Sequence, residues 1–151
     1  MKFNIKVILL GGLAMYVAEF ILSMATGGII HEGVLEELYI ANSSFWRPEL
    51  NQDPPDMAAL MPMWITTGLI TTFIMVAIFD NIRSALDGSG MMKGVKFGFI
   101  VFLFSAYFSA GWSGVFNLPG MIWFWWNVEA LVMYLVGGAV LGLVAAKLSP
   151  E

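Results

Sequence analysis

Polar positions are so sparse along this chain that its apolar residues gather into four long runs, at residues 7–30, 58–79, 97–116 and 122–146. A hydrocarbon core about 30 Å thick needs about 20 apolar residues of helix at about 1.5 Å each. Each run therefore predicts one transmembrane helix. The expected fold is an all-α membrane protein: one domain over residues 1–151 with four transmembrane helices, and an outer loop at residues 31–57 between the first and second. So little chain is left outside the spans that a separate catalytic domain is excluded. Within the loop, Val34, Leu35, Leu38 and Tyr39 alternate with Glu32, Glu36 and Glu37 near the helical period, which predicts a short amphipathic helix at the membrane surface. Asn42, Ser43 and Ser44 then read as a break, Trp46 as an anchor and Pro48 as a stop. Pro54 and Pro55 mark the entry to the second span, because neither has an amide hydrogen to continue a helix upstream.

Composition narrows the class. The chain is 59% hydrophobic and 12% charged, against about 25% charged in soluble domains, and a water-soluble fold is excluded. The absence of cysteine removes disulfides, thiolate zinc sites, cysteine-ligated iron–sulfur clusters and cysteine nucleophiles together. There is no basic tract suited to nucleic acid.

Charge sets an orientation. Four crossings place Lys2, Lys6, Arg83, Lys93, Lys96 and Lys147 on one side and only Arg47 on the other. Lys and Arg near span ends collect on the cytoplasmic side, so both termini are expected to be cytoplasmic. The outer side is acidic, with Glu32, Glu36, Glu37, Glu49, Asp53 and Asp56. The first run resembles a signal peptide in its preceding lysines, but it is longer than a signal core and Glu19 interrupts it, so it is read as a retained span.

Between helices in lipid the hydrophobic effect supplies little, and small residues that let backbones approach do more. On the third span Ser105, Ser109 and Ser113 recur every fourth residue beside Ala106, Ala110 and Gly114. The fourth carries Gly138, Gly142 and Ala146 at the same spacing. These two faces are expected to meet. Trp64, Trp112, Trp123, Trp125 and Trp126 fall near outer span ends, where amphipathic rings settle among headgroups. An interfacial belt is the expected role, with a cofactor or substrate stack as the alternative.

Candidate chemistry is confined to a few positions. Glu19 lies near the middle of the first span, where a carboxyl costs roughly 2.5–3.5 kcal/mol to insert and should face the bundle interior. Its expected partners are the second-span hydroxyls, Thr67 and Thr71 among them, with Tyr16 and Tyr107. Glu129 is shallower, in the fourth span. Together the two carboxyls read either as buried clamps fixing helix register or as a proton or cation path. His31, the only histidine, ends the first span beside Glu32 and Glu36, with Trp46 and Arg47 further along the loop. That group forms a possible ligand or interfacial site. A Glu-x-x-His pair of di-iron type is missing and one imidazole cannot build a three-histidine zinc site, so no metal site is expected. No cofactor is predicted. A single axial bond from His31 to a pigment or haem is the alternative to a simple hydrogen-bonding role.

Ile30-His31, Leu38-Tyr39, Trp46-Arg47-Pro48, Met61-Pro62, and Gly94 with Gly98 together resemble a group of small bacterial four-helix integral membrane proteins of uncharacterised function. The resemblance implies a bacterial cytoplasmic membrane and the four-helix fold, and no mechanism. The expected function is that of a non-catalytic subunit or assembly protein of a larger membrane complex. Its partners would be the lipid bilayer and membrane proteins or further copies of itself. A small carrier using Glu19 and Glu129, and a membrane enzyme or cofactor-binding protein acting at the outer face, are the alternatives.

Overall fold

The computed structural model describes residues 3–149. Lys2, counted above in the charge distribution, lies outside them. Helix α1 (Ile5–Thr26) continues as a π-helical segment (Gly27–Val34) into the short α2 (Glu36–Ala41). Two 3-10 turns, Ser43–Phe45 and Pro48–Asn51, carry the chain to α3 (Met57–Ile82), and a third, Arg83–Ala85, leads to α4 (Gly90–Ser113) and α5 (Gly120–Leu148). No strand occurs among the described residues. Four helices, α1 with its π-helical extension, α3, α4 and α5, are long and apolar enough to cross a membrane.

The helices start where side chains cap them. Asn4 Oδ1 accepts from the amide of Val7 (3.2 Å), Asp56 Oδ1 from Ala59 (3.1 Å) and Ser89 Oγ from Met92 (3.4 Å), each relieving an unpaired first-turn donor. The Ser89 cap begins α4 well ahead of the apolar run at residue 97, so Lys93 and Lys96 stand on the helix rather than in a loop. The surface helix expected from the period of the outer loop is α2. Leu35 just before it is fully buried, Leu38 and Tyr39 are half-buried, and Glu36 and Glu37 are exposed.

The two ends of the molecule differ in charge. Lys6, Arg83, Lys93, Lys96 and Lys147 stand at the basic end; Glu32, Glu36, Glu37, Glu49, Asp53 and Asp56 stand at the acidic end. Helix α1 packs against α3 on one side and α5 on the other, and α5 packs against α4. At the basic end the bundle closes, because Phe79 of α3 meets Phe97 of α4 with ring centroids 5.3 Å apart. Val7, Met15, Met75, Val76, Leu141 and Ala145 complete that core.

Helices α4 and α5 make the closest approach, through a different part of the small-residue stripe than expected. Gly90, Gly94 and Gly98 of α4 lie directly against Gly142, Gly138 and the carbonyl of Tyr134 on α5. A methyl group at Gly94 would overlap the carbonyl oxygen of Gly138, and one at Gly138 would overlap that of Gly94. The serines lie further along, where the helices have separated enough to hold longer side chains between them. Ser105 shares a hydrogen bond with Tyr134, and Ser109 Oγ accepts from Asn127 Nδ2 (2.8 Å). Ser113 is exposed and bonds only the carbonyl of Ala110 (2.8 Å).

Toward the acidic end, α3 and α4 are covered only in places: Leu60 of α3 is buried and Phe116 meets the ring of Phe45 at 5.5 Å. Every residue at 62–67 of α3 and at 110–117 around the end of α4 is exposed. The acidic end is held instead by α1, α2 and α5. A second core of Ile30, Leu35, Leu118 and Ile122 is roofed there by Tyr39, Trp46, Trp123, Trp125 and Trp126.

Candidate functional site

The densest polar cluster sits in this second region and joins residues far apart in the chain. His31 Nε2 lies 2.9 Å from Glu129 Oε2, and His31 Nδ1 lies 2.7 Å from the Tyr39 hydroxyl. The Thr26 hydroxyl donates to the other carboxylate oxygen of Glu129. Trp126 Nε1–H donates to the Tyr39 hydroxyl (2.7 Å), and Trp46 Nε1–H donates to the Tyr39 carbonyl (2.9 Å).

The π-helical segment makes this possible. Five residues of α-helix turn through about 500°, leaving Thr26 and His31 about 140° apart around the axis, too far for both to hold one carboxylate. Hydrogen bonds from residue i to i+5 widen the turn, as from the Leu35 amide to the Ile30 carbonyl (2.8 Å). Five residues then come closer to one full circuit, and both side chains reach α5.

Donor counting assigns the protons. The Tyr39 oxygen already accepts the indole hydrogen of Trp126, and its own hydrogen has one acceptor within reach, Nδ1 of His31. For a neutral imidazole this leaves Nδ1 unprotonated and places the hydrogen on Nε2, which donates it to Glu129. The resulting chain runs from Trp126 through Tyr39 and His31 to Glu129, with Thr26 closing it from the other side. Burial raises the Tyr39 phenol above its ordinary pKa; the Trp126 bond opposes that rise and the Glu129 charge adds to it. The phenol therefore keeps its proton, as the chain requires. Its ring stacks on His31 at 5.7 Å and meets Trp46 edge-on at 5.0 Å.

Chemically the cluster has the order of a hydroxyl, a base and an orienting carboxylate, but each polar group already holds a partner inside the chain. Its evident work is to fasten the π-helical segment and α2 to α5. Ligation of a haem or pigment by His31 would require breaking one of its two bonds. Glu32 and Glu36 are exposed, and among the described residues no group of three His, Asp or Glu side chains could hold a metal ion. Trp46 belongs to the cluster, whereas Arg47 stands outside it and pairs with Glu49 (3.1 Å), whose carboxyl that bond holds below its ordinary pKa.

Glu19 forms a separate site with different partners from those expected. It faces α5 rather than α3: its carboxyl lies against Gly137 and beside Tyr134, and its Oε1 is buried without a hydrogen-bond partner. Thr67 is exposed and donates to the Met63 carbonyl of its own helix (2.8 Å), and Thr71 is also exposed. Tyr16 packs on Gly68, and Tyr107 is 74% exposed on α4. Threonines bonded to their own preceding turn have no hydrogen left to offer a neighbour. Gly137 and Glu129 are separated by roughly 12 Å along α5 at 1.5 Å per residue, and no hydrogen-bonded chain links the two carboxyls among the described residues.

Arg83 is a residue that sequence reasoning counted only as a charge. It is buried, donates from Nη1 to the Ala145 carbonyl (3.2 Å), and places Nε 3.2 Å from Asp80 Oδ1, while Asp80 Oδ2 accepts from the Asn4 amide (3.4 Å). The ends of α1, α3 and α5 are tied together there. Comparison with known proteins finds no matching family model, no matching curated protein and no matching solved structure, so what this arrangement does must be argued from the arrangement itself.

Proposed function

We propose that this chain is a non-catalytic subunit of a larger membrane complex, seated in a bacterial cytoplasmic membrane with its basic end inside. The observation that supports this reading is the pair of uncovered helix halves. Thr66, Thr67 and Thr71 on α3, and Gly111, Ser113 and Gly114 at the end of α4, are exposed, and a Cβ at Gly111 would point into open space. Small and hydroxyl residues gather where one membrane helix packs on another, and no helix among the described residues covers these. The charge difference between the ends supports the orientation, since Lys and Arg collect on the cytoplasmic side. A carrier built on Glu19 and Glu129 has less support, because the two carboxyls belong to unconnected sites.

Purification from native membranes in mild detergent tests the proposal. The expected result is co-purification with one or more other membrane proteins at fixed stoichiometry. Gly111→Phe is expected to release them while leaving thermal stability unchanged, because a Cβ there points into open space. Recovery of this chain without any other protein would overturn the reading.

A further inference from the structure

The acidic-end cap hangs on Tyr39. Its hydroxyl joins His31 of the π-helical segment to Trp126 of α5, and its carbonyl accepts the indole hydrogen of Trp46 in the following loop. The chain of hydrogens through this hydroxyl is complete but has no spare place. Between the Tyr39 oxygen, the two ring nitrogens of His31 and the near oxygen of Glu129 there are two links, and for a neutral imidazole each link holds one hydrogen.

A third hydrogen upsets that count at one defined point. An imidazole is ordinarily more basic than a carboxylate and changes charge within the range of about pH 5–8, so an added proton goes to the ring and both nitrogens become donors. On the Nε2 side this suits Glu129, which gains a charged partner. On the Nδ1 side it sets an N–H against the Tyr39 oxygen, which already accepts from Trp126, and the phenol hydrogen loses its one acceptor. Deleting a hydroxyl only removes a bond, whereas a donor kept inside the cluster with no acceptor costs more. We propose that His31 is a proton-operated clasp: neutral, it holds Tyr39 and with it α2; with both nitrogens protonated, it keeps Glu129 and lets Tyr39 go. The π-helical segment then stays on α5 through Thr26 and His31, while α2 and Trp46 swing out and uncover Trp126.

The other charged groups around the ring leave this assignment in place. Glu32 on the segment itself, Glu36 and Glu37 on α2, and Asp53 in the loop are exposed. Arg47 and Glu49 pair with each other outside the cluster, and Asp56 caps α3. From α5 the group that meets the ring is Glu129, and α1 contributes Thr26, which is uncharged.

The test reads the ring and the cap on the full chain in lipid nanodiscs. The chain has one histidine and no cysteine, so isotope-labelled histidine gives one set of ring-nitrogen signals by NMR, and introduced cysteines carry spin labels without competition. Labels on Ile40→Cys of α2 and Phe124→Cys of α5, both exposed positions, report the distance from the cap to the bundle. Between about pH 8 and about pH 4.5 the ring should pass from one protonated nitrogen to two, and at the same midpoint a second, longer distance should come to hold half the molecules or more. Labels on Leu13→Cys and Leu143→Cys, in the basic half, should keep one distance throughout. His31→Gln, whose amide accepts and donates but takes up no proton, should hold the short distance at every pH. Changing Glu32, Glu36 and Glu37 together to Gln should leave the response as in wild type. A cap that stays docked down to about pH 4.5 overturns the inference, as does a ring protonated on both nitrogens at about pH 8 with the cap docked. So do movement of the basic-half pair, a response that persists in His31→Gln, and one that is lost in the triple variant. The ring and distance readings are made first on a chain that keeps its histidine, so they decide the matter even if His31→Gln folds poorly.

Discussion

The basic and acidic ends of this molecule hold their helices together by opposite means. At the basic end, α4 and α5 touch backbone to backbone through Gly90, Gly94, Gly98, Gly138 and Gly142, and Phe79 and Phe97 close the bundle. At the acidic end the gaps between elements are filled by long polar and aromatic side chains that bond one another, from Thr26, His31 and Tyr39 to Trp126 and Glu129. Backbone contact tolerates no change in side-chain volume at its centre. A side-chain network can lose one member and keep the rest. The contrast predicts that damage at the basic end is global and damage at the acidic end is local.

The largest effect is expected from Gly94→Leu. Even a Cβ there would overlap the Gly138 carbonyl, and a rigid helix backbone cannot yield as a side chain would. The expected loss is about 3 kcal/mol or more, read as collapse of folded yield and of thermal stability in detergent. A modest effect would mean that α4 and α5 slide past each other more easily than their close approach implies.

Glu129→Leu comes next. It removes the acceptor of both His31 and Thr26, a loss of about 1.5–3 kcal/mol for bonds to a charged group. Hydrogen exchange should quicken across residues 27–41 and stay slow around Gly94 and Gly138. Uniform acceleration along the chain would erase the distinction between the two ends.

Tyr39→Phe should have the smallest effect, about 1 kcal/mol. It leaves the ring stacked on His31 and edge-on to Trp46 and removes only the hydroxyl shared by His31 and Trp126. Indole fluorescence should shift as Trp126 loses its acceptor, with the melting temperature nearly unchanged.

The spans were legible because apolar runs of that length have little use other than crossing lipid, and α2 because its period placed Val34, Leu35, Leu38 and Tyr39 on one side, although Val34 ends the π-helical segment and is exposed. Helix α4 starts earlier than its apolar run because a Ser89 cap and lysines with long apolar stems suit a helix end. The pairing of α4 with α5 was visible in their small residues, but the serines drew attention from Gly94 and Gly98, which lie closer to where the helices cross. The polar cluster was hidden for two reasons. His31 and Glu129 are 98 positions apart, and any reading at the 3.6-residue period places Thr26 and His31 on different faces. The threonines misled as partners of Glu19 because composition does not reveal that a hydroxyl is already bonded to its own helix.

The π-helical segment Gly27–Val34 also acts as an adjuster of screw phase. Each residue of α-helix advances the direction of everything beyond it by about 100°, so a helix of fixed winding offers only a coarse set of directions for the loop it leads into. A stretch of wider winding inserts an intermediate angle without lengthening the membrane crossing by a full turn. Its glycines, Gly27, Gly28 and Gly33, leave the widened turns uncrowded, with at most a backbone oxygen of the segment itself nearby. The heading of the whole acidic-end cap is thus written into the local pitch of eight residues, and an insertion or deletion there would re-aim the cap as a unit while leaving the helices below it in place.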